Sequence, residues 1–261
     1  GEIGLRRGTK LGPAELSLAA MMGYSQLNVL IPLKIAIIGT GDELVQPGEY
    51  LGPGQIYESN TTALVGLVDA MGCEAMKYPF VKDDLGKLRE TFDLASRECD
   101  VILTSGGVSM GEWDLVRKLM EEEGEMHFWR VSIKPGGPPL FGLWKGTPLF
   151  GLPGNPVSSQ IVCMMIVFPW IQSICMYDGE KGPKLFEKVR VKLLQPAKGT
   201  KRKVTLRRVK IMTINDELVA EVPLNQGSGN LRSMVDCNGL TLLPIGVHAE
   251  AGDIVDVLWL K

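Results

Sequence analysis

The residues best placed for chemistry lie in short loops that follow apolar runs. The run Asp100-Val101-Ile102-Leu103-Thr104-Ser105 has the composition of a buried strand and leads into Gly106-Gly107-Val108-Ser109-Met110-Gly111-Glu112-Trp113-Asp114. Gly106 and Gly107 let the backbone approach a ligand closely, and their N–H groups can point at an anion. Ser105 and Ser109 add hydroxyl donors. A helix is expected from near Trp113, so its N-terminus faces the same loop. Asp114 is the discordant member, because a carboxylate beside an anion cradle repels phosphate. Either a cation bridges the two, or Asp114 is an ordinary acidic residue at a helix start.

Three further segments carry similar residue types. Thr40-Gly41-Asp42-Glu43 follows the predicted strand Lys34–Ile38 and offers a hydroxyl, a permissive glycine and two carboxylates. Val81-Lys82-Asp83-Asp84 follows the predicted strand Cys73–Phe80, and either Asp83 or Asp84 suits a helix N-cap. Lys134-Pro135-Gly136-Gly137 pairs with Pro153-Gly154-Asn155-Pro156-Val157-Ser158, a turn that brings backbone N–H groups and Ser158 to a helix start. Taken singly, the acids are capping residues and the prolines a rigid turn. Taken together, acidic loops and anion cradles around one crevice describe a phosphate-bearing ligand held with a divalent metal. Carboxylate oxygens suit Mg²⁺. The matching chemistry is transfer or hydrolysis at a phosphoanhydride. The only histidines, His127 and His248, lie near no nucleophile elbow, which disfavours serine-hydrolase chemistry, and they are too few for a zinc site.

Alternating strands and helices must position these loops. Predicted helices over Thr61–Met71 and Asp84–Ser96, another from Trp113, and a long apolar one after Pro156 separate strands at Lys34–Ile38, Cys73–Phe80, Val101–Leu103, His127–Val131 and Leu149–Leu152. That spacing predicts an α/β domain with a mostly parallel sheet over 33–178. Ligands in such domains bind beyond the carboxyl ends of the strands. From 179 to 261 the texture changes to short strands (Lys188–Leu194, Val204–Ile211, Glu217–Val222, Gly239–Leu243, Ile254–Leu260), a small all-β domain. Residues 1–32 hold one helix, Pro13–Met22, and too little apolar surface for a core of their own.

Bulk properties exclude several classes. A net charge of −2 provides no global field for nucleic acid or anionic membrane. Scattered cysteines, odd in number and without a CxxC pair, point to a reducing, cytoplasmic setting. The apolar segment Ile161–Tyr177 is broken by Pro169 and Gln172 and reads as a buried helix rather than a membrane span. The basic stretch from Lys198 to Lys210 lacks interleaved aromatics and reads as a solvated hairpin face, not an RNA platform.

Thr40-Gly41-Asp42-Glu43-Leu44, Gly54-Gln55-Ile56-Tyr57-Glu58-Ser59-Asn60, Gly106-Gly107-Val108-Ser109, Lys134-Pro135-Gly136 and Gly151-Leu152-Pro153-Gly154-Asn155-Pro156-Val157-Ser158 occur in an order and spacing that closely resembles the molybdopterin molybdenumtransferase family, which includes the C-terminal part of gephyrin. The resemblance covers essentially the whole chain. It implies a three-layer molybdopterin-binding α/β fold with a C-terminal β domain, in an elongated homodimer. It also implies that molybdate is inserted into adenylylated molybdopterin, with Mg²⁺-dependent release of AMP. On this chain, Asp114, Asp42, Glu43, Asp83 and Asp84 would then serve adenylate cleavage, with Asp42, Glu43 and Asp114 toward the metal. Thr40, Gly41, Ser105, Gly106, Gly107, Ser109, Gly136, Pro153, Gly154, Asn155 and Ser158 would hold the substrate, and Lys134 would lend charge to molybdate. Gly137 stands where the family usually has a second lysine, which removes one basic contact. Residues 1–32 resemble only the return segment of the family's N-terminal region. A non-catalytic molybdopterin-binding or gephyrin-like scaffold module is the alternative.

Overall fold

The computed structural model describes residues 1–108 and 114–260. The expected donor Ser109 and the helix start near Trp113 lie outside the described residues. The chain opens with α1 (Pro13–Met21), then β1 (Lys34–Gly39), β2 (Leu44–Val45), β3 (Ile56–Tyr57), α2 (Asn60–Ala70), β4 (Glu74–Lys77), α3 (Leu85–Glu98), β5 (Val101–Ser105) and α4 (Leu115–Glu122). There follow β6 (Glu125–Trp129), β7 (Ile133–Lys134), β8 (Leu140–Trp144), β9 (Thr147–Leu152), α5 (Pro156–Val162), a π-helical turn (Cys163–Val167) and α6 (Phe168–Ile174).

The main sheet has the order β4-β1-β5-β9-β8-β6. Its first four strands are parallel, and β8 and β6 are antiparallel additions. Side chains alternate between two buried layers, as the pleat requires. Ile35, Ile37, Val101 and Leu103 face α2 and the long α5–α6 helix, whereas Ala36, Ile38 and Ile102 face α3 and α4. Because both faces of β1 and β5 are covered, residues 35–38 and 101–103 are continuous apolar runs. The result is a three-layer α/β domain.

Pro156–Ile174 is a continuous 19-residue helical stretch, long and apolar enough to cross a membrane by length and composition. It starts at the Pro-Gly-Asn-Pro turn, where the sequence predicts the long apolar helix. Val157, Ile161, Val162, Cys163, Met164, Val167, Phe168 and Ile171 on it are buried against the sheet. The π-helical turn ends two residues before Pro169, whose ring and missing N–H disturb the carbonyl four residues back, at Met165 inside that turn. All five cysteines are free. Burial pushes the Cys73 thiol up to about 11 and the Cys163 thiol up to about 12, so neither is a thiolate at neutral pH.

The C-terminal domain adds β10 (Phe186–Leu193), β11 (Val204–Thr205), β12 (Arg208–Ile214), β13 (Glu217–Glu221), α7 (Arg232–Asp236), β14 (Gly239–Thr241) and β15 (Ile254–Leu260). Strands β10-β13-β12-β14-β15 close a barrel around Val191, Val209, Ile211, Ala220 and Val257. The single strand expected over Val204–Ile211 is in fact two. β11 pairs in parallel with β7 of the α/β domain, Val204 opposite Ile133 and Thr205 opposite Lys134. The chain turns at Leu206 because that side chain is buried in the α/β core, with Leu240 and Leu258 of the barrel. Another expectation fails in the same stretch. Lys201, Arg202 and Lys203 are exposed, but Arg208 is buried, with Nε donating to Ser233 Oγ at 3.0 Å and Nη2 to the Gly227 carbonyl at 3.0 Å. A guanidinium with several donors can be satisfied by neutral acceptors inside a fold, which charge patterning alone does not reveal.

Candidate functional site

The carboxyl ends of β1, β5 and β9 meet at a crevice of about 630 Å³. Thr40, Gly41, Glu43, Asp83, Ser105, Gly106, Gly107, Asp114, Pro153, Gly154, Asn155 and Ser158 all line it. Residues from four separate loops are thus brought together, as the loop chemistry required.

Close backbone contacts set the glycine cradle. Gly106 has φ +102°, and a Cβ there would meet the Thr40 carbonyl oxygen at 2.6 Å and Thr40 Oγ1 at 2.8 Å. Only glycine combines that left-handed conformation with that approach. The Gly106 N–H donates to the Leu152 carbonyl and the Thr40 N–H to the Ser105 carbonyl, each at 3.0 Å, which fastens the three strand ends together. Trp129 Nε1 donates to the Val108 carbonyl at 2.9 Å, while the Arg117 and Arg130 guanidinium carbons lie 3.9 and 4.1 Å from the Trp129 ring centroid. These contacts fix Val108, where the described part of the loop ends.

The acidic loops are also organised. The carboxylate of Glu43 folds back over Gly41, where a Cβ would meet Oε2 at 2.5 Å. Asp42 Oδ1 accepts the Asp83 N–H at 3.0 Å, tying the first acidic loop to the second. Burial holds the Asp83 carboxyl above its ordinary value, and the negative charges of Asp42, Glu43 and Asp114 push it in the same direction. Glu43, Asp83 and Asp114 line the crevice, whereas Asp42 does not and reaches it only through its bond to the Asp83 N–H. Asp42, Glu43 and Asp114 nevertheless form no ready-made cage: among the described residues, no three His, Cys, Asp or Glu side chains are grouped to hold a metal ion.

Other expected site residues lie elsewhere. Asp84 is the N-cap of α3, with Oδ1 accepting the Lys87 N–H at 3.0 Å, and it does not line the crevice. Lys134 and Gly136 do not line it either. They border two adjoining cavities of about 400 and 460 Å³ between the α/β domain and the barrel. The larger of these shares Pro138, Asn155 and Ser158 with the crevice.

Two crevice residues escaped the residue-by-residue reading. Asn60 Nδ2 donates to Ser105 Oγ at 2.8 Å and to the Gly154 carbonyl at 2.7 Å, so one amide joins the starts of α2 and α5 to the end of β5. Glu58 is buried at 2% exposure; its Oε1 accepts the Thr61 N–H at 2.7 Å, its other oxygen takes the Thr61 hydroxyl, and Lys77 Nζ lies 3.7 Å away. The available signal was an acid and an amide flanking Ser59 at a helix start, a pattern that normally denotes capping alone.

Comparison with known proteins extends this description. Residues 36–173, more than half of the chain, match the family described as "Probable molybdopterin binding domain", and 190–260 match the "MoeA C-terminal region (domain IV)". The chain belongs to the molybdopterin molybdenumtransferase family. A molybdopterin molybdenumtransferase of Haemophilus influenzae is 34% identical over 199 residues, 76% of this chain and 49% of that protein. The molybdenum cofactor synthesis protein cinnamon of Drosophila melanogaster is 35% identical over 231 residues, 87% of this chain and 38% of that protein. The crystal structure of the molybdopterin biosynthesis MoeA protein from Pyrococcus horikoshii superposes with a TM-score of 0.82 at 29% identity, covering 100% of this chain and 63% of that one. The chain thus spans about half the length of the curated family members it matches. Within the molybdenumtransferase family match, the first segment contains every crevice residue described above, and the second contains the cations that face Lys134.

Proposed function

We propose that this chain acts in molybdenum cofactor biosynthesis, inserting molybdate into adenylylated molybdopterin with Mg²⁺-dependent release of AMP. One observation carries the reading: a single crevice is lined both by carboxylates (Glu43, Asp83, Asp114) and by the glycines and hydroxyls suited to an anion (Gly106, Gly107, Ser105, Ser158). Those acids would repel a phosphorylated ligand unless a cation joined them. Oxygen donors without thiol or imidazole at the crevice suit Mg²⁺, which takes one or two carboxylates and completes its shell with water and substrate phosphates. When bound, Mg²⁺ would withdraw charge from the phosphoanhydride oxygens. The protein's own contribution is to seat the phosphates against the glycine loop, where no side chain intervenes, beside the Ser105 and Ser158 hydroxyls, and to hold the acids next to them.

Two further elements belong to this proposal. Ile3, Met21 and Ile31 are 76%, 80% and 89% exposed near the start of the chain, an apolar surface that a homodimer would cover. Free, buried cysteines suit a reducing cytoplasmic location.

The test is Asp114→Ala. The variant is expected to keep molybdopterin binding and to lose metal-dependent AMP release, measured by chromatography of the nucleotide product. AMP release at the unaltered rate would overturn the role assigned to Asp114.

A further inference from the structure

The smaller cavity between the domains, about 400 Å³, is lined by cations and no acid: Lys134 from β7 and Lys201, Arg202 and Lys203 from the segment before β11. Among the described residues none of these four has a carboxylate partner within 4.0 Å; Lys77, Arg89, Arg117, Lys145, Lys188, Lys192 and Arg232 each have one. The clustering is imposed by backbone pairing. The Val204 N–H donates to the Ser132 carbonyl at 2.9 Å and the Leu206 N–H to the Lys134 carbonyl at 2.8 Å, so the barrel segment is locked in register beside Lys134. Cations that line one cavity without an acid among them favour an anion there.

The two glycines at the edge of this cavity differ. Gly136 has φ +100°, and its Cβ would strike Val162 Cγ2 at 2.7 Å, so backbone and packing both require glycine. Gly137 lies outside the left-handed region, and the next atoms beyond its nearest neighbour are backbone oxygens at 3.6 and 3.8 Å. That nearest neighbour is the ammonium of Lys203, whose Nζ lies 2.8 Å from where a Cβ would stand. The glycine at 137 leaves the space that the Lys203 ammonium occupies beside the Lys134 strand.

We infer that Lys203, supplied by the C-terminal domain and admitted by Gly137, joins Lys134 in binding a doubly charged tetrahedral oxyanion. This rests on the reading of the site as one that handles oxyanions, but not on turnover. Lys203 is thereby a binding residue, and Gly137 positions it.

The test uses the full chain and measures equilibrium binding of two probes, molybdate and AMP, by titration calorimetry. Lys203→Met is expected to weaken binding of at least one probe about tenfold, the loss of one charged contact at an exposed site. Lys203→Arg should stay within about threefold of the unmodified chain. Gly137→Ala, whose methyl displaces the ammonium, should weaken the same probe, yet add nothing in the Lys203→Met background. A loss confined to molybdate assigns the site to the inorganic ion, and one confined to AMP assigns it to a phosphate ester. Unchanged affinity for both probes in Lys203→Met, additive effects in the double variant, or no binding of either probe to the unmodified chain would overturn the inference. Oxyanion binding without cofactor formation would defeat the proposed function and leave this inference standing.

Discussion

Replacing Asn60 by aspartate keeps the shape of the side chain and removes its donors. Two contacts are affected, the 2.8 Å bond to Ser105 Oγ and the 2.7 Å bond to the Gly154 carbonyl. The Ser105 hydroxyl can rotate and donate to the introduced carboxylate, so that contact survives in reversed sense. The Gly154 carbonyl cannot, and there two acceptors would face each other. With a net value of about 1 kcal/mol for an ordinary bond and about 1–3 kcal/mol for an acceptor left facing an acceptor, the cost is about 2 kcal/mol at neutral pH. For a chain of this size that lowers the unfolding midpoint by about 4–8 °C. The protonated acid regains a donor for Gly154, so the folded state raises the pKa of the introduced carboxyl above its unfolded value of about 3.9. A group raised in this way stabilises the fold below its unfolded pKa and loses that contribution as pH rises through its folded pKa. The deficit relative to the unmodified chain should therefore be largest at about pH 8 and shrink toward about pH 4.5. Thermal unfolding of both proteins at the two pH values measures it. A midpoint unchanged at pH 8, or a deficit that grows on acidification, would refute the role given to Asn60.

Asp83→Asn should stabilise the chain near neutral pH, because the folded protein holds Asp83 above its ordinary value through burial and the nearby charges of Asp42, Glu43 and Asp114. The sign is fixed: a raised carboxyl costs stability once pH passes its folded pKa, so the advantage should vanish on acidification, as urea titrations at several pH values would register. Added Mg²⁺ should raise the midpoint of the unmodified chain more than that of the variant. Gly151→Ala should cost about 1–3 kcal/mol by overpacking, since the new methyl would lie 2.5 Å from Val108 Cγ1 and 3.3 Å from Leu140 Cβ. A urea midpoint within error of the unmodified chain would show that Val108 moves aside freely.

The legible part of this molecule was its periodic part. Residues 35–38 of β1 and 101–103 of β5 are apolar without interruption because helices cover both faces, and the glycine-rich turns follow these strands. Since parallel strands leave their loops at one sheet edge, the gathering of Thr40, Asp83, Ser105 and Ser158 could be anticipated without any contact information. Asp84 illustrates the limit, because an acid at a helix start is compatible with capping or with ligand binding. The hydrogen bond to Lys87 settles it as a cap.

What the sequence by itself determined is the alternation of the main strands and helices, the two-sided burial of the central strands and the set of loops at the sheet edge; the antiparallel strand β8 was not among them. These follow from local hydrophobic period and turn chemistry. Only the tertiary structure decided that β11 leaves the barrel to pair with β7, that Arg208 is buried while Lys203 is exposed, and that Lys134 borders a neighbouring cavity instead of the main crevice. It also decided that Asn60 reaches both Ser105 and Gly154. Each of these depends on pairing between residues far apart in the chain. Side-chain periodicity reports which face of an element is covered, but not which element covers it.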